Sequence, residues 1–211
     1  MAIACTEASQ SFMVDSRFKT TAFICFFTAI LGIPRLILLI FHIVAALELS
    51  SILMIFIRLP LTIVSFVFSI YILLQLERLL VERYHLENIR IMIKSLIIMY
   101  IISIAADIFF TILQIFIKDQ GTIRLFTGMF YIPLFLLGGI IYFIYGVRLL
   151  ELKDQTSGLY RIYAIMQIIA GVCIFTMILW PIGNLLYIAA LIVLGMIFLK
   201  ESETEPEVEF V

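Results

Sequence analysis

The chain has 211 residues, is 64% hydrophobic and carries a net charge of −1, with a mean hydropathy of +1.20. A soluble domain averages about 45–50% apolar residues, and here the excess is gathered into blocks long enough to cross a bilayer, about 20 residues each. Those features exclude a soluble globular domain. The near-neutral charge offers nucleic acid no footprint, and three scattered cysteines with two histidines suggest neither a disulfide framework nor a metal site, so no cofactor is expected.

The expected fold is all-α: an integral membrane bundle of six transmembrane helices with both termini in the cytoplasm. Residues 1–18 read as a cytoplasmic N-terminal segment. The first span, 19–47, is not followed by a small-residue cleavage site, so it reads as retained rather than as a signal peptide. The next spans are expected at 51–77, 91–117, 124–147, 159–180 and 183–199, making 19–199 the membrane domain. Glu48-Leu49-Ser50-Ser51 separates the first two, and Lys118-Asp119-Gln120-Gly121 the third and fourth. Pro181-Ile182-Gly183-Asn184 reads as a tight turn between the last two. Between Glu77 and Lys94 the charges recur at helical spacing, which extends the second and third spans as helices beyond the apolar core. Residues 200–211 hold five glutamates and read as an acidic disordered tail.

Lysine and arginine counts orient the bundle. Ten basic residues (Arg17, Lys19, Arg78, Arg83, Arg90, Lys94, Arg148, Lys153, Arg161 and Lys200) fall on one side, and Arg58, Lys118 and Arg124 on the other. The location expected is a cell inner or plasma membrane. A parallel internal repeat relates residues 60–94 to 133–165, through Pro60, Tyr71 and Arg78 in one copy and Pro133, Tyr145 and Arg148 in the other.

Polar and small residues recur on one face of each span. In the first they are Thr21, Cys25, Thr28, Gly32, Arg35 and His42. The second has Arg58, Thr62, Ser65 and Ser69; the third has Tyr100, Ser103, Asp107, Thr111 and Gln114. In the fourth, Gly128, Tyr131, Gly138, Tyr142 and Tyr145 follow the rule, and Tyr160, Ala164, Gln167 and Gly171 do so in the fifth. Such faces hold membrane helices together through small residues and hydrogen bonds. Facing one another across spans one to three, they would also line a polar cavity.

Arg35 and Asp107 are charges set within apolar sequence. A lone charge at a helix centre costs about 2.5–3.5 kcal/mol on insertion scales. Measured from their span starts, they lie at similar depth, ~16–22 Å at helical rise, so an ion pair near the midplane is expected. Pro34 and Pro60, each near an arginine, mark kinks or broken-helix sites.

No nucleophile–base constellation, G-x-S-x-G or H-E-x-x-H motif is present, so catalysis is not expected. Arg35-x6-His42 and Arg78-x6-His85 have a loose form that resembles the HEPN ribonuclease signature. The resemblance implies a membrane effector of defence type, although the first pair lies where RNA cannot go. The leading expectation is a non-enzymatic subunit or accessory of a membrane assembly. Its partners are the lipid bilayer, a second copy of the chain or another membrane protein, and not nucleic acid. The alternative is a compact channel or transporter for a small solute, ion or proton, built on the Arg35–Asp107 pair.

Overall fold

A computed structural model describes residues 2–44, 51–116, 120–151, 158–177 and 179–203. Within these it describes the side chains of 17–38, 57, 59–113, 121–122, 125–151, 158–177, 179 and 181–203. Six α-helices account for the fold: α1 (Ala2–Val44), α2 (Ser51–Tyr84), α3 (Glu87–Phe116), α4 (Gln120–Leu150), α5 (Gly158–Phe175) and α6 (Trp180–Glu203). Among the described residues there is no strand. Each of the six is long and apolar enough to cross a membrane.

Each helix packs on its neighbours in sequence, and α6 returns to pack on α1. The result is a closed ring in the order 1-2-3-4-5-6, with successive helices antiparallel. We call the end where α1 starts and α6 finishes basal, and the opposite end apical. Outward faces carry exposed apolar residues such as Phe23, Ile30, Ile98, Phe109, Leu125 and Leu185. Inward faces carry a core of leucine, isoleucine, alanine and tyrosine, densest toward the basal end around Leu76, Leu80, Ile93, Leu149 and Phe198.

The charged stretch after Glu77 is helical, as its spacing predicts. α2 continues to Tyr84, and α3 begins after a two-residue turn in which His85 takes a left-handed conformation (φ 51°). Arg90 Nε reaches back to Glu77 Oε1 at 3.0 Å, joining the two helices beside the turn.

The last turn differs from expectation. Pro181, Gly183 and Asn184 are not the loop but lie in the opening of α6, while α5 ends at Phe175. Met177, after the end of α5, adopts a left-handed conformation (φ 54°). Proline is at home in a first helical turn, because its missing N–H would have no partner there anyway. A Pro-Gly pair therefore marks a helix start as readily as a loop. Nor do Pro34, Pro60 or Pro133 break their helices, since each sits inside a continuous one. At the ends, α1 takes in all but the first residue of the expected N-terminal segment, and α6 runs through Glu203 into the expected tail. Residues 204–211, and the connections at 45–50 and 152–157, lie outside the described residues.

The closest backbone approach is between α4 and α5. A Cβ placed on Gly139 would lie 2.8 Å from the Gly171 carbonyl oxygen, and one on Gly171 would lie 2.7 Å from the Phe143 nitrogen. No other residue fits where two helices meet backbone to backbone. Lipid is as apolar as leucine, so this kind of close packing holds membrane helices together.

Candidate functional site

The ring encloses a column of polar side chains contributed mainly by α2, α4, α5 and α6. At its apical head the Arg35 guanidinium lies over the Phe66 ring, 5.1 Å from the centroid. Phe66 meets Tyr100 edge-on at 5.4 Å. Just below, the Tyr100 and Tyr142 hydroxyls bond one another at 2.5 Å, and Tyr187 OH lies 2.8 Å from Ser69 Oγ. Arg35 is close enough for its charge to bear on the Tyr142 and Tyr187 hydroxyls.

One turn further down, Tyr145 and Tyr163 meet edge-on at 6.4 Å. With Gln167, Tyr100, Tyr142 and Tyr187 they line a cavity of about 20 Å³. Below it the interior closes on Leu76, Leu149 and Ile197, each 1% exposed.

At the basal foot Glu201 is buried. Its Oε1 accepts hydrogen bonds from Tyr84 OH at 2.9 Å and Tyr160 OH at 3.1 Å. Its Oε2 pairs with Arg83, whose Nη1 also donates to the Glu201 carbonyl at 3.0 Å. A buried carboxylate is tolerable only when paired and hydrogen-bonded, and these donors meet that condition. They tie the end of α6 to α2 and α5. From Ser69 to Arg83, and from Tyr187 to Glu201, is 14 residues, or ~21 Å at helical rise. The column therefore covers most of a bilayer's ~30 Å hydrocarbon thickness.

Arg35 and Asp107 are not brought together. Among the described residues α1 packs on α2 and α6, α3 packs on α2 and α4, and α1 and α3 do not pack on one another. Asp107 instead accepts a hydrogen bond from Tyr131 of α4. The expected midplane pair is replaced by a cation over an aromatic ring and a carboxylate bonded to a tyrosine. Depth and helix direction were compatible with pairing, but the order of helices in the ring separates the two residues.

The other expected polar positions fare better. Thr21, Thr28, Thr62, Ser65 and Ser69 are all buried. Most spend their hydroxyl proton on their own helix, four residues back: Thr21 on Arg17, Thr28 on Ile24, Ser65 on Leu61, Ser69 on Ser65 and Ser103 on Met99, all at 2.7–2.8 Å. Such back-bonding satisfies a hydroxyl without lining a water path. Thr111 is half-buried on α3. The side chains of His42, Arg58 and Gln114 lie outside the described residues. His85, the second half of the Arg78-x6-His85 spacing, is an exposed turn residue.

The faces read on α4 and α5 supply most of the column. Sequence reasoning missed Tyr84, Tyr163, Tyr187 and Glu201. A signal for them exists: Tyr142/Tyr145 and Tyr160/Tyr163 are i, i+3 pairs, and Tyr187 and Glu201 are two heptads apart on one face of α6.

No family model, curated protein or solved structure matches this chain.

Proposed function

We propose that the chain is a multi-pass integral membrane protein with both termini cytoplasmic. In this reading it acts without catalysis, as a subunit or accessory of a membrane assembly that includes further copies or another membrane protein. The observation that carries this reading is the closure of the interior. Six apolar helices form a complete ring whose central cavity measures about 20 Å³, room for one water-sized species. The hydroxyl protons of Thr21, Thr28, Ser65, Ser69 and Ser103 are spent within their own helices, so the outer faces and the two ends are left to make contacts. Isolation at native abundance in mild detergent tests it. A stoichiometric partner or a defined homo-oligomer is expected, and a lone monomer would overturn it.

A second reading, a conduit for a small ion or proton, is favoured by the polar column from Arg35 to Glu201. In that reading the closed interior is one of two states. Single cysteines at Thr62, Ser65 and Ser103 separate the readings. Protection from an aqueous thiol reagent fits a packed subunit, and labelling at all three fits a conduit.

A further inference from the structure

Among the described residues three buried side-chain atoms have no hydrogen-bond partner: Thr127 Oγ1 on α4, and the Tyr145 hydroxyl and Gln167 Oε1 in the interior. Tyr145 is 1% exposed and Gln167 3%. Both line the same central cavity. Buried groups of this kind rarely go without a partner, because an unsatisfied one costs about 1–3 kcal/mol.

The chemistry of the two orphans restricts what can serve both. A phenol has a proton to donate, whereas an amide oxygen can only accept. Tyr163 faces Tyr145 and bears on its oxygen, which leaves the Tyr145 proton to be given away, and the other hydroxyls around the cavity are engaged. Ser69 gives its proton to the Ser65 carbonyl at 2.8 Å, so Tyr187 gives its own to Ser69. Tyr100 and Tyr142 bond each other. An occupant must therefore accept from Tyr145 and donate to Gln167. A bare metal cation cannot accept a hydrogen bond, a halide cannot donate one, and an apolar molecule does neither. Size restricts it further: about 20 Å³ exceeds the ~10–15 Å³ that one water requires and leaves little beyond it.

We propose that this cavity is a binding site for a single water molecule, which accepts from the Tyr145 hydroxyl and donates to Gln167 Oε1. The water bridges α4 to α5 beside the Tyr100–Tyr142 pair. It extends hydrogen bonding one turn basal of the Tyr100–Tyr142 pair. The inference goes beyond the proposed function and depends on neither reading, because a packed subunit and a closed conduit would both hold the water.

Thermal unfolding of the full chain in detergent tests it through Tyr145→Phe, Gln167→Met and the double variant. A bridged pair loses its bridge when either end is removed. Each single change is expected to lower Tm by about 2–4 °C, the shift that ~1 kcal/mol produces at this chain length. The double variant should lose clearly less than the sum. A hydroxyl that bonds nothing is better absent, so an unchanged or raised Tm for Tyr145→Phe would overturn the proposal, as would strict additivity. A Tm that rises with chloride or bromide in the wild type and not in Tyr145→Phe would overturn it in favour of an anion. Should the variants fail to fold, wild-type protein with labelled tyrosine remains usable: cross-relaxation between the Tyr145 ring and a long-lived water is expected, and its absence refutes the site.

Discussion

Ser69 is the acceptor, not the donor, in its hydrogen bond with Tyr187. Its single proton goes to the Ser65 carbonyl at 2.8 Å, leaving its oxygen to receive the phenol from α6. That fixed direction makes the two ends unequal. Ser69→Ala strands a buried phenol proton and should cost about 1–3 kcal/mol, whereas Tyr187→Phe removes a donor from an oxygen that keeps its other bond and should cost about 1 kcal/mol. Chemical or thermal unfolding in detergent checks the order. A larger loss for Tyr187→Phe would contradict the assigned direction.

Arg35 and Asp107 should behave as strangers. One lies over Phe66 on the α1–α2 side, and the other is bonded to Tyr131 between α3 and α4. Their single substitutions to Ala are expected to add within ~0.5 kcal/mol, as separated sites do, and the double variant should show no rescue. Asp107→Asn and Tyr131→Phe, by contrast, should couple by more than 1 kcal/mol, because a hydrogen bond to a carboxylate contributes about 1.5–3. Two double-mutant cycles read by unfolding give both numbers.

The glycines of α4 are not equivalent. A side chain on Gly139 meets the α5 backbone at 2.8 Å, whereas one on Gly128 meets nothing within 4 Å. Gly139→Val is expected to force α4 and α5 apart and cost about 3 kcal/mol, the upper range of overpacking. Gly128→Ala should stabilise by about 0.5–1 kcal/mol, the usual gain when a helix-interior glycine is replaced. Tm measured on both variants decides it. Equal effects would mean that the two helices do not touch at Gly139.

The polar faces were legible because helical periodicity is local. Thr21, Cys25 and Thr28 fall on one side of α1 by spacing alone, and all three are buried. The same held for Tyr145 on α4 and for Gln167 on α5. Glu201 was not legible. It sits in a run of glutamates that resembles a solvated tail, and only the donors Tyr84, Tyr160 and Arg83, from two other helices, make its burial possible. The turn before α6 was misread for a similar reason. Proline suits the opening turn of a helix as well as a loop, and composition does not separate the two cases.

The amino-acid sequence by itself determined that six helices form, where most of them begin, and which face of most of them turns inward. Those properties follow from chain length, hydropathy and a 3.6-residue period. The tertiary structure alone decided which faces meet. By closing α6 onto α1 it kept Arg35 from Asp107, gathered tyrosines from five helices into one column and placed two orphaned polar atoms on a cavity the size of a water molecule. Those outcomes rest on the order of helices around the ring and on backbone contact at a few glycines, neither of which a single helix encodes.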